Sequence, residues 1–179
     1  MTDGDRAVGH GAAAARELVD VIDEAGNVIG TATRAEVRAQ NLWHRSVFIV
    51  VVTSADELVV HQRADWKDIW PSRWDVGFGG VVDAGEGFDD AAVRELAEEA
   101  GVTIAPADLV PLVEAIYEDD LVRERGRVYL ARADGPFTFA DGEVTEARWV
   151  TFDELDSMRS THRFLPDSMA LLLPLLAPH

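Results

Sequence analysis

The sequence predicts an α+β fold, an αβα sandwich built around a mixed β-sheet. Three observations carry this expectation. Strand-like runs come first, one strongly helical segment follows, then more strands and finally helices, with no internal repeat. The 179 residues suit one domain with a sizeable core rather than two small ones. At 47% hydrophobic residues, with no low-complexity tract beyond an alanine run near the start, the composition is that of a folded protein. The expected division is a disordered tail over residues 1–15 and a single domain over 16–179.

The segment "ELVDVIDEAGNVIGTATR" predicts two short strands about a "DEAGN" turn, because Leu18, Val19, Val21 and Ile22 precede the turn and Val28, Ile29 and Thr31 follow it. "TRAEVRAQ" predicts a short helix opened by Thr33, with Glu36 as its capping-box partner and only a small apolar face. The β-branched run "SVFIVVVT" suits a strand buried on both faces; a "SADE" turn and a second strand, "ELVVHQR", follow, and both belong near the sheet centre. A loop rich in tryptophan and charge, "ADWKDIWPSRW", leads to a short strand near "DVGFGGVV". "FDDAAVRELAEEAG" predicts the main helix. Its acidic first turn complements the dipole, Gly101 sits where a left-handed stop is favoured, and Ala92, Val93, Leu96 and Ala100 form the expected buried stripe. Strands are expected around "LVPLVEAIYE", "RGRVYLAR" and "EARWV". Helices are expected over "TFDELDSM", capped by Thr151, and over "PDSMALLLPLL".

Composition removes several kinds of chemistry. With no cysteine there is no disulfide, thiolate metal site or cysteine nucleophile. A formal net charge of −17 opposes long nucleic acids, whose binding depends on Lys and Arg meeting phosphates. A small anion stays compatible, provided that metal ions or a few local bases reverse the field in one pocket. Met1 to Ala15 lacks the basic start and apolar core of a signal peptide, and "LLLPLLA" is short and interrupted by Pro174. No membrane partner is therefore expected, and a cytoplasmic location is. The terminal apolar segment suits closure of the core or a homodimer interface.

Glu95, Glu98 and Glu99 fall at i, i+3 and i+4 and so share one helical face. Each like-charge pair at this spacing costs roughly 0.2–0.5 kcal/mol in an isolated helix, which a solvated surface tolerates. Two readings follow from spacing alone: a wet acidic face, or hard oxygen donors for a divalent cation such as Mg²⁺ or Mn²⁺.

The wider pattern decides between them. Gly80, five residues, Glu86, seven residues, then "RELAEEAGV" from Arg94 to Val102 matches the Nudix box at every specified position. Chance would produce that on the order of once in 10⁸ starting points. The chain resembles a Nudix hydrolase, with the motif over Gly80 to Val102 and a compatible strand order over most of the rest. The resemblance implies a Nudix-type αβα sandwich that binds Mg²⁺ (or Mn²⁺) and cleaves the diphosphate of a small nucleoside diphosphate-type substrate. It implies that Glu95, Glu98 and Glu99 hold metal, with the Gly80 carbonyl as a further ligand. It also implies that Arg94 orients a glutamate and that Glu86 anchors the loop against it.

"HQRADWKDIWPSRWDVGFGG" is similar to the type I isopentenyl-diphosphate isomerases and their Nudix relatives, with informative departures. Counted from Trp74 to Glu86, the isomerase's catalytic cysteine falls on Gly79 and a metal-binding histidine on Val81. Its two earlier histidine ligands fall near Val37, which cannot ligate, and His44, which can, although a structural hydrogen-bonding role fits a lone histidine as well. Arg63 and Lys67 occupy positions that hold the diphosphate in that family; an ordinary salt bridge with Asp65 or Asp68 is the alternative. Trp66, Trp70 and Trp74 suit stacking on a flat ligand or anchoring a loop, and Trp70 is taken as a substrate contact. Glu124, Glu143 and Glu146 are the candidates for a general base. Glu146 is favoured because it immediately precedes "ARWV" and so has a route back toward the helix. An isomerase-like enzyme and a non-catalytic diphosphate-binding module stand as the alternatives to a hydrolase.

Overall fold

The computed structural model describes residues 13–140 and 142–176. Residues 1–12 of the expected tail lie outside that range. Ala13 to Ala15 are attached to the domain: Arg16 N donates to Ala13 O, and Ala35 N to Ala15 O.

The expected hairpin is β1 (Leu18–Ile22) and β2 (Val28–Thr33), a separate antiparallel pair. Thr33 then opens α1 (Arg34–Gln40) with a complete capping box to Glu36. β3 (Trp43–Val52) organises the seven-stranded mixed sheet. Along one edge it pairs in parallel with β8 (Arg123–Arg132) over its whole length. Its other edge is divided. Ser46 to Ile49 pair with β6 (Phe78–Val81), and Val52 pairs with β4 (Leu58–Arg63). β5 (Trp74–Asp75) and β9 (Val144–Val150) extend β4, while β7 (Val110–Glu118) forms the far edge on β8.

Alternation along β3 separates two cores. Val47, Ile49 and Val51 pack with Leu96 and Ala92 of α2 (Phe88–Ala100). Phe48 and Val50 face the opposite way, onto Leu155 and Met158 of α3 (Phe152–Arg159) and Leu171 of α4 (Pro166–Leu171). Helices thus cover both faces of the mixed sheet, as the sequence predicts, because every second β-branched residue needs an apolar partner on its own side. No helix of the described residues is long and apolar enough to cross a membrane.

Three expectations need correction. "DVGFGGVV" is two strands, since Asp75 pairs with His61 of β4 whereas Phe78 pairs with Ile49 of β3. The break falls at Gly77, where a Cβ would lie 2.8 Å from the Leu172 side chain. The last helix is likewise divided, into α4 and α5 (Leu173–Leu176), with the break at Leu172, two residues before Pro174, which lacks an N–H and crowds the preceding turn. The buried face of α2 comprises Ala91, Ala92, Glu95, Leu96, Glu99 and Ala100, with Val93 only partly covered. Two of its charged residues therefore point inward.

Gly101 closes α2 in the left-handed conformation, φ +68°, and a Cβ there would sit 2.0 Å from Thr138 Oγ1; Gly142 has φ +77° with open space around it. Gly142→Ala is expected to cost about 1 kcal/mol from backbone conformation alone. Gly101→Ala should cost at least twice as much, because the clash adds to it. Thermal unfolding of the two variants measures the difference, with roughly 2–4 °C expected per kcal/mol. Equal shifts would show that Thr138 moves aside freely.

Candidate functional site

Arg94 sits where the loop before α2, the helix and β6 converge. Its Nε and Nη2 fork onto the two Glu86 oxygens at 3.0 and 2.8 Å. Nη1 donates to Glu95 Oε1 at 2.7 Å and to Glu98 Oε2 at 3.2 Å, and Nη2 also reaches Val81 O at 3.3 Å. Asp83 N donates to Glu86 Oε2 at 3.1 Å, which fixes the acid that receives the fork.

The three helix glutamates are not equivalent. Glu95 and Glu99 are 9% and 7% exposed, whereas the Glu98 side chain is 58% exposed. Burial pushes the Glu95 carboxyl up to about 7 despite Arg94 beside it. Burial, together with the neighbouring Glu95 charge, pushes Glu99 up to about 8. Glu99 Oε2 accepts from Gly79 N at 3.0 Å. Glu95 lies so close to Gly80 that a Cβ there would stand 2.6 Å from its carboxyl. Any larger residue at Gly80 would expel the carboxylate.

This arrangement fits a hard divalent ion. Two adjoining buried carboxylates repel one another, and a cation bound by their oxygens removes both the repulsion and the desolvation cost. Among the described residues no three His, Asp or Glu side chains are gathered as a ready ligand set, because Arg94 draws Glu95 and Glu98 to itself.

Glu95 and Glu99 form one wall of a cleft that is open on one side. Four cations line it: Arg34 and Arg38 from α1, Arg63 from the end of β4, and Lys67 from the following loop. Arg38 Nε and Nη1 and Arg63 Nε have no hydrogen-bond partner. Arg63 and Lys67 are singled out in the sequence; Arg34 and Arg38 are not. Their signal was a pair of arginines one turn apart on a short helix in an acidic chain. Lys67 Nζ pairs with Glu143 rather than with Asp65 or Asp68.

Glu124 and Glu143 line the cleft, and Glu146 does not. Glu146 pairs with Gln62 in the β4–β9 ladder and accepts from Arg148 Nε at 2.7 Å on the exposed surface. Its expected route toward α2 is absent. Trp70 lines the cleft and packs edge-on against Tyr117; Trp74 is core, crossed by His162 and Arg148; Trp66 lies at a neighbouring recess shared with Arg34, Arg38 and Lys67. His44 is buried in β3 with Nδ1 3.0 Å from Leu42 O. Burial, aided by Arg38, pushes it down to about 3, so it is neutral. Its Nδ1 donates to that carbonyl, and its buried Nε2, without a hydrogen-bond partner, stands 4.0 Å from Glu124 Oε2.

A family model for the NUDIX domain matches residues 42–171. The Escherichia coli (strain K12) protein YfcD, an uncharacterized Nudix hydrolase, is 35% identical over 159 residues, covering 89% of this chain and 86% of that protein. The crystal structure of DR0079 from Deinococcus radiodurans is similar at a TM-score of 0.74 and 26% identity, covering 90% of this chain and 100% of that one. The NUDIX domain of Shewanella oneidensis NrtR, solved in complex with ADP ribose, shares the fold. Its TM-score is 0.61 at 18% identity, covering 80% of this chain and 97% of that one.

The raised carboxyls of Glu95 and Glu99 make metal-free stability pH-dependent. Their folded values exceed the ordinary value of 4.5, so the folded state binds protons more tightly than the unfolded one. Stability from these groups is full below about pH 4.5 and is lost as pH rises through 7 to 8. In chelator, Glu99→Gln should therefore match wild type at pH 4.5 and exceed it at pH 8.5 by on the order of 3 kcal/mol. Urea unfolding at the two pH values measures this. A constant difference would mean that Glu99 is ordinarily ionised without metal.

Proposed function

The chain belongs to the Nudix hydrolase family, and from that premise we propose that it is a Mg²⁺- or Mn²⁺-dependent hydrolase cleaving the diphosphate linkage of a small nucleoside diphosphate-type compound. One observation carries this reading: a buried carboxylate pair and four cations line the same cleft. The carboxylates suit a metal ion and the cations suit phosphate oxygens.

In this reading Glu95, Glu98 and Glu99 hold the metal, with the Gly80 carbonyl as a further donor. The metal, when bound, neutralises phosphate oxygens and lowers the pKa of the attacking water. Arg94 and Glu86 keep the glutamates in register. Arg34, Arg38, Arg63 and Lys67 bind and orient the diphosphate, which offsets the repulsion of a chain at −17. Of the glutamates weighed as proton acceptor, Glu143 takes the role, since it lies in the cleft near enough to raise the Glu99 carboxyl. The ADP ribose bound to the NrtR domain supports a diphosphate carrying a further group.

The isomerase alternative is disfavoured by space as well as by composition. A Cβ on Gly79 would lie 2.0 Å from Val47 O, so the backbone leaves no room for the cysteine that such an enzyme needs there.

Phosphate and pyrophosphate release is the direct test, using nucleoside diphosphates, dinucleotides, sugar nucleotides and isopentenyl diphosphate with Mg²⁺ or chelator. At least one diphosphate should be hydrolysed only with metal, and Glu99→Gln should lower kcat by about 100-fold or more. Isomerisation of isopentenyl diphosphate without release, or metal-dependent binding with no turnover of any compound, would replace this reading.

A further inference from the structure

The sheet ends on one side at β7, and this edge strand has the composition of an interior one. Val110, Leu112, Val113 and Ile116 are 38–51% exposed. Strands buried on both faces read as nearly continuous apolar runs, whereas half-solvated strands alternate. β7 does not alternate. Ala115 and Tyr117 pack on the core beneath α3 and α4, and Val113, paired with Val128, shares their face. Ile116 projects from the other face, opposite Arg125. Apolar side chains thus leave both faces of a strand whose outer edge pairs with no other strand among the described residues.

The charges of this edge are matched from within. Glu118 pairs with Arg123 at 2.9 Å, and Glu114 with Arg127. β7 and β8 together hold three glutamates against four arginines, in a chain of net charge −17. A second acidic copy can therefore approach this edge without the repulsion that the rest of the molecule imposes. β9, the outer strand beyond β4, is built differently. It exposes the Glu146–Arg148 ion pair, the kind of charged rim that keeps an edge from pairing. In β7, Pro111 and the irregularity between Pro111 and Val113 blunt only the first end, which leaves residues 113–118 able to pair. A two-fold contact uses the same strand on both sides, so apolar residues meet apolar residues and no second complementary surface is required.

We propose that β7 is a self-association edge, through which two copies of the chain pair antiparallel over residues 113–118 and join their seven-stranded sheets into one. Each copy then covers Val113 and Ile116 of the other, and the outward backbone N–H and C=O groups gain partners. The contact is remote from the metal carboxylates and does not depend on what the cleft binds. It also differs from the terminal apolar segment, which the sequence offers as a dimer surface.

Sedimentation velocity of the full chain over a concentration series reads the association directly. The wild type should pass from monomer to dimer. Val113→Lys and Ile116→Lys should each raise the dissociation constant about 100-fold or more, because each brings a charge and its two-fold image into an apolar contact. Trp149→Lys, an exposed change on β9, should leave the constant unchanged. Added salt should tighten the wild-type dimer, since it screens the repulsion between two acidic chains. Amide hydrogen exchange of the wild type should slow over residues 113–118 as concentration rises, and this result decides alone if neither β7 variant folds. A chain that stays monomeric throughout overturns the proposal, whatever other strand this edge takes. So does a dimer that both folded β7 variants leave intact, or one that forms without slowing exchange in β7.

Discussion

The Arg94 guanidinium is the contact on which the cleft depends. Three glutamates on one helical face would normally turn to solvent, yet two of them pack inward on α2. Glu95 can do so because one planar cation engages Glu86, Glu95 and Glu98 together, while Glu99 is held by the Gly79 N–H. Removing one partner from such a group typically costs about 3–5 kcal/mol, because the remaining charge is left uncompensated. Lysine would not replace it, since a point charge cannot fork onto Glu86 and still reach Glu95. By also reaching Val81 O, Arg94 ties helix, loop and β6 into one unit. That unit holds Glu95 against Gly80.

Charge is segregated around this unit. The chain has only 16 Lys and Arg residues against 33 Asp and Glu, and four of the former line a single cleft. They come from α1, the end of β4 and the loop after it, which meet because β3 places the α1 connection beside β6 and β4. The remaining surface stays strongly negative. Asp75, Glu95, Glu99, Glu124, Glu143 and Asp167 line the same cleft, so the four cations draw an anion there only where protons or a bound cation offset those carboxylates.

The parts of this arrangement legible in the sequence are those encoded locally. The capping box at Thr33, the cap at Thr151, the left-handed stop at Gly101 and the burial of β3 on both faces all follow from short-range rules, and the fold class followed from the order of the elements. The spacing from Gly80 to Val102 located the helix that carries the acids. Arg34, Arg38, Asp75 and Asp167 were not legible, because what brings them to the cleft is the pairing of strands distant in sequence. Glu146 shows the same limit from the other side. Its register opposite Gln62 turns it outward, whereas Glu143, just before the strand, reaches the cleft. A shift of one residue in a strand reverses the face, and sequence alone did not set that register.

The cleft holds polar groups that the protein itself leaves unsatisfied. Glu124 Oε1, Arg38 Nε and Nη1 and Arg63 Nε are buried in it without a hydrogen-bond partner, beside the buried Glu95 and Glu99, which have one donor each. Unpaired buried groups of this kind typically cost about 1–3 kcal/mol each, and a sequence selected for stability alone would have replaced them with apolar residues. Their cost is recovered only when something binds, because a ligand that pairs with them stabilises the folded state in proportion to its concentration over Kd.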